Sequence, residues 1–149
     1  MLVKTHIVIG LAVALYFLPH VNNKLVFFPV VLIATLLPNI GHAFPFLGKK
    51  SVFRPAQTIF KHRGIIHSFT LAIALSIIIA LSYPVIALPF FLGYSFHLLA
   101  DAYTSEGIKP YWPFKWKSQG PVKVGSITET SIFYIFIIFD VALLVKLFV

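Results

Sequence analysis

The chain has 149 residues, 59% of them hydrophobic and 11% charged, with a mean hydropathy of +0.94 and a formal net charge of +8. A water-soluble domain carries about a quarter charged residues, so the composition excludes one and fits a single integral membrane domain with room for about four or five crossings. The absence of cysteine excludes a disulfide scaffold, thiolate metal ligands and cysteine nucleophiles, which leaves His, Asp, Glu, Asn, Ser and Thr to carry chemistry.

The first apolar stretch, Met1 to Leu18, ends in the polar turn Pro19-His20-Val21-Asn22-Asn23. No small-residue cleavage pattern precedes Pro19 and further apolar segments follow, so it is read as a retained helix rather than a signal peptide. A second helix is predicted over Lys24 to Ile40, with Pro29 tolerable where neighbouring helices re-satisfy the freed carbonyl. Gly41 to Arg63 is a polar loop holding Lys49, Lys50, Arg54, Lys61 and Arg63. From Gly64 to Thr104 the chain is almost continuously apolar, too long for one crossing at about 1.5 Å per residue, and Ser82-Tyr83-Pro84 supplies a break. Two antiparallel helices result, Gly64 to Leu81 and Pro84 to Tyr103. A second loop, Ser105 to Ser126, sets Lys109, Lys115, Lys117 and Lys123 around Trp112 and Trp116, an arrangement suited to the headgroup layer. The last helix is expected over Ile127 to Phe148. The fold class is all-α, a polytopic membrane bundle of about five transmembrane helices with two long loops.

Alternating helices put the amino terminus and both long loops on one face of the membrane. That face holds Lys4, Lys49, Lys50, Arg54, Lys61, Arg63, Lys109, Lys115, Lys117 and Lys123, whereas the other holds Lys24 and Lys146. Positive residues remain on the cytoplasmic side, so the loops and amino terminus are assigned there. The basic excess reads as a topology and anionic-lipid signal; without a basic helix face or aromatic-interleaved strand, nucleic acid is not expected as a partner.

Ionisable residues collect at the same depth. His6 opens the first helix, Asn39 and His42 close the second, and His62, Arg63, His67 and Ser68 open the third. His97 and Asp101 close the fourth and Glu129 opens the fifth. Ionisable groups cost about 2.5–3.5 kcal/mol at a helix centre on insertion scales, and they are kept for a function or a partner. His97 and Asp101, four apart on a helix, share a face and suit a divalent cation such as Zn²⁺, although the same pair also serves as a packing hydrogen bond. His62 and His67 bracket Arg63-Gly64; Arg63 fits a lipid phosphate as well as an anionic substrate. Glu129 fits either a ligand or, with Ser126, a capping box. Asp140 lies well inside the last helix with no evident partner, and His20 sits in the turn on the opposite face.

These motifs resemble those of the YdjM-type family of membrane-bound metal-dependent hydrolases. The stretches concerned are Thr5-His6, Leu36-Leu37-Pro38-Asn39-Ile40-Gly41-His42 and His62-Arg63-Gly64-Ile65-Ile66-His67-Ser68. They continue with Gly93-Tyr94-Ser95-Phe96-His97-Leu98-Leu99-Ala100-Asp101, then Thr104, Gly107 and Tyr111-Trp112-Pro113, and finally Gly125-Ser126 with Glu129. The resemblance implies a divalent metal, most simply Zn²⁺, held among His6, His42, His62, His67, His97 and Asp101, with Arg63, Ser68 and Glu129 in catalytic roles. A more distant similarity to zinc-dependent phospholipase C and P1-type nucleases suggests phosphoester chemistry. One departure matters: the family's second-helix motif resembles Leu-Pro-Asp-x-Asp-His, and Asn39 and Gly41 occupy the two acid positions here, removing up to two negative charges.

The expected function is metal-dependent hydrolysis at the cytoplasmic membrane surface, on a phosphoester or lipid-linked substrate, with membrane lipids as partners. Asn39 and Gly41 motivate an alternative, a catalytically inactive helix bundle that binds lipid headgroups or a partner. A small transporter or ion channel gated by the polar cluster, motivated by Asp140 and the proline-broken second helix, is a third reading, but the first two helices offer almost no polar path to the outer face.

Overall fold

A computed structural model of the chain describes residues 1–39 and 64–149. The segment containing Gly41, His42, His62 and Arg63, predicted as a loop from the sequence, lies outside the described residues. Five α-helices are present among those described: α1 (Val3–Phe17), α2 (Lys24–Leu36), α3 (Phe69–Ser82), α4 (Pro84–Ala102) and α5 (Ile127–Phe148). Tight 3-10 turns extend α1 through Leu18–His20 and α2 through Leu37–Asn39, and another, Ile65–His67, precedes α3. Pro84 opens α4 at a position where its missing N–H costs nothing, which makes the break after Ser82 sharp.

The third helix begins later than the hydropathy implies. Ser68 adopts an extended backbone, its hydroxyl accepts from the Leu71 amide at 3.3 Å, and it donates to the Ile65 carbonyl at 2.5 Å. A cap at Ser68 ends the preceding turn and starts a separate helix, so His67 sits on the turn rather than within α3.

By length and composition, Val3–His20, Pro84–Ala102 and Ile127–Phe148 are long and apolar enough to cross a membrane. The apolar helices Lys24–Asn39 and Phe69–Ser82 are shorter; at about 1.5 Å per residue each reaches roughly 20–25 Å, less than the ~30 Å hydrocarbon core. α4 is the hub, packed against α1, α2 and α3, while α1 also contacts α2 and α5. Small residues let these backbones meet. A Cβ on Gly93 would lie 2.3 Å from the Val31 carbonyl oxygen, and one on Gly10 would lie 2.7 Å from the Thr35 hydroxyl. Such contact replaces the hydrophobic drive that is weak between helices in lipid. α5 buries only Glu129 and Asp140, and its remaining apolar surface suits lipid.

The pairing of helix ends places the polar residues. The Leu2 amide donates to Glu129 at 2.6 Å, so α1 and α5 start side by side. His6, near the start of α1, meets Asp101 at the end of α4, and Thr35, near the end of α2, meets His97. Four helix ends therefore converge at one end of the bundle.

Candidate metal centre

Asp101 is the centre of the cluster and is almost wholly buried, with 1% of its surface exposed. One carboxylate oxygen lies 3.2 Å from His6 Nε2; the other lies 3.5 Å from both His67 Nε2 and His97 Nε2. The α-amino group of Met1 also contacts the first oxygen. The His6 and His97 rings stack with centroids 3.8 Å apart and planes 18° from parallel, while the His67 ring centroid is 5.6 Å from that of His97. His6 and His97 are fully buried, and His67 is buried at the edge of the cluster.

Backbone contacts fix the chemistry of one nitrogen. His97 Nδ1 lies 2.7 Å from the Thr35 carbonyl oxygen. A carbonyl can only accept, so the neutral ring carries its proton on Nδ1 and leaves a lone pair on Nε2, facing Asp101. Metal-binding histidines commonly have this outer contact, which sets both tautomer and ring orientation. The Gly93–Val31 approach produces it: Gly93 is one turn before His97, and the Thr35 hydroxyl bonds to both the Val31 and Gly93 carbonyls at 2.8 and 3.3 Å.

Both ring nitrogens of His6 and His97 Nε2 are buried with no hydrogen-bond partner among the described residues. The 3.2 Å approach of His6 Nε2 to Asp101 satisfies an ion-pair distance but not hydrogen-bond alignment. An orphaned buried polar atom costs about 1–3 kcal/mol, whereas cation coordination uses that same lone pair. His6, His97 and Asp101 offer ligand atoms all within 4.8 Å of one another. Donors ~2.0–2.2 Å from one tetrahedral ion sit roughly 3.3–3.6 Å apart, close to the observed histidine–carboxylate spacings. The residues fit a divalent cation bound through nitrogen and oxygen.

The other sequence candidates fall into distinct places. Ser68 is buried and caps α3 next to His67. Glu129 stands apart from the histidines: Oε1 accepts from the Leu2 amide at 2.6 Å and the Thr5 hydroxyl at 3.0 Å, and Oε2 accepts from the Gly125 amide at 2.6 Å. Ser126 accepts from the Glu129 amide at 3.3 Å, completing the cap. Asn39 is buried in the turn ending α2. His42, His62 and Arg63 lie outside the described residues. Thr35 did not stand out in the sequence, because its contribution is a main-chain carbonyl, common to every residue type.

The five described helices, with a buried histidine–carboxylate cluster at one end of an apolar bundle, define a polytopic membrane protein with a candidate cation site. Comparison with known proteins places it more narrowly. The profile of the YdjM inner membrane protein family matches residues 1–148, and the chain belongs to that family. It is 35% identical over 105 residues to Inner membrane protein YdjM of Escherichia coli (strain K12) and, equally, to the protein of that name from Shigella flexneri. Each match takes in 64% of this chain and 54% of the relative, so the chain spans about half the length of the curated relatives it matches. No solved structure matches it.

Proposed function

We propose that the protein is a metal-dependent hydrolase acting at the cytoplasmic membrane surface on a phosphoester or lipid-linked substrate. The observation that carries this reading is the set of bare, buried imidazole nitrogens gathered on one carboxylate, with the His97 tautomer fixed by Thr35. His6, His67, His97 and Asp101 would hold the ion, most simply Zn²⁺, with His42 and His62 as further ligands. When bound, such an ion supplies an electrophilic centre that acidifies water and polarises a phosphoryl or acyl oxygen. Ser68 holds the turn that presents His67, and Arg63 would neutralise charge on an anionic substrate. Glu129 already accepts three hydrogen bonds, so it is assigned to positioning α1, and with it His6, rather than to proton transfer. The cytoplasmic assignment is supported by the excess of basic residues on the loop face.

The test uses the full chain in nanodiscs, supplied in turn with phosphomonoester, phosphodiester and carboxylic-ester lipids, with and without added Zn²⁺. Metal-dependent turnover of one class that is lost in Asp101→Asn supports the proposal. Absence of turnover in all three classes, despite bound metal, removes the hydrolase assignment.

A second reading is favoured by Asn39 and Gly41 at the two acid positions of the family motif, which leave fewer negative charges to balance a cation, so the contacts of His6, His67 and His97 with Asp101 can serve as a helix-packing element without an ion. The two readings separate on whether chelation changes thermal stability.

A further inference from the structure

The segment between α4 and α5 has a rigid root and an unusual tip. At the root, Ile108 and Ser118 exchange two backbone hydrogen bonds of 2.9 Å, and the Ser105 amide donates to Val122 at 2.8 Å. Thr104, Ile108 and Val122 are buried, and Ile108 belongs to the same apolar cluster as Tyr94 and Leu98. The tip lies between Ile108 and Ser118. Tyr111, Trp112, Phe114 and Trp116 are all exposed there, the last two at 72% and 60%, and the Tyr111 and Trp116 rings stack with centroids 5.7 Å apart. Lys109, Lys115 and Lys117 are exposed among them, with no acidic residue from Ile108 to Ser118.

Large aromatic side chains concentrated on an exposed, well-anchored knob mark a docking surface. Its chemistry selects the occupant. Aromatic rings settle at the headgroup level, and an uncompensated group of lysines draws anionic headgroups. A zwitterionic surface satisfies the rings but leaves the lysines without opposite charge. We propose that Lys109–Lys117 forms a preformed binding knob for anionic phospholipid headgroups. The Phe69 amide donates to the Pro110 carbonyl at 2.8 Å, which ties the knob to the turn carrying His67. Lipid binding by the knob stands independently of metal binding or hydrolysis.

The chain has two tryptophans, both in the knob, so its intrinsic tryptophan fluorescence reports this element alone. The full chain is placed in nanodiscs of one fixed mixture of phosphatidylcholine and phosphatidylglycerol, with bromine near the top of the acyl chains of one lipid or the other. Quenching by brominated phosphatidylglycerol is expected to be at least about twofold the stronger, the excess falling as salt is raised. The variant Lys109→Ala/Lys115→Ala/Lys117→Ala should lose that excess while keeping quenching by phosphatidylcholine, which shows that its knob still reaches the membrane. Equal quenching of the unmodified chain by both lipids overturns the proposal in favour of an ordinary aromatic belt. Absence of quenching by either overturns it in favour of a protein partner or water at the knob.

Discussion

His97 Nδ1 and the Thr35 carbonyl oxygen, 62 positions apart in sequence, lie 2.7 Å from each other in the buried interface between α4 and α2. This contact links packing to chemistry. It directs the bare Nε2 of His97 at Asp101, and it exists because the α2 and α4 backbones touch at Gly93. Whatever separates those helices should disorder the cluster.

Gly93→Ala is accordingly expected to lower stability by about 1–3 kcal/mol, because its Cβ would meet the backbone oxygen of Val31 at 2.3 Å. Gly10→Ala should cost less, since its new Cβ meets the Thr35 side chain rather than backbone. Unfolding titrations of both variants in the same detergent check the order. An equal or reversed order would show that the α2–α4 crossing is not the tight constraint.

Glu129→Ala strands the Leu2 and Gly125 amides and the Thr5 hydroxyl, which should cost about 1–3 kcal/mol. Glu129→Gln keeps one acceptor oxygen and should cost less. If Glu129 positions α1 rather than holding an ion, the Gln variant retains bound metal. Its loss in a variant whose metal-free Tm equals that of the metal-free unmodified chain would instead make Glu129 a ligand.

Metal removal supplies a further check. An ion that binds only the folded chain stabilises it by about 2.7 kcal/mol at a hundred times its dissociation constant. Chelation should lower the Tm of the purified protein, and Zn²⁺ addition should restore it. An unchanged Tm would favour a helix-packing role for the cluster without an ion.

Much of this arrangement is legible in the residues because it depends on local rules. Hydropathy and Ser82-Tyr83-Pro84 locate five helices, the four-residue spacing pairs His97 with Asp101, and alternating helix direction brings His6 to the same end. Features set by long-range contact are not legible. The Thr35 carbonyl carries no residue-type signal, and Gly10 and Gly93 declare a close crossing only once the opposing helix is known. Glu129 reads locally as a cap for α5, yet two of its bonds go to Leu2 and Thr5 on a distant part of the chain. The turn at Ile65–His67 is concealed by apolar residues that satisfy helix and turn alike. Pairing of Asn39 with an acid position in the family motif rests on resemblance, and the described structure places it in the buried turn ending α2. Asp140 is likewise buried, with neither carboxylate oxygen bonded among the described residues.

The most direct test of the cation site is elemental analysis of the purified full chain alongside Asp101→Asn, which preserves the side-chain shape and removes the charge that His6, His67 and His97 surround. After loading with Zn²⁺ and removal of loosely held metal, the unmodified chain should retain about one ion per molecule, and the variant should retain little. A metal-free unmodified chain, or equal retention by a folded Asp101→Asn variant, would contradict a cation centre at this cluster.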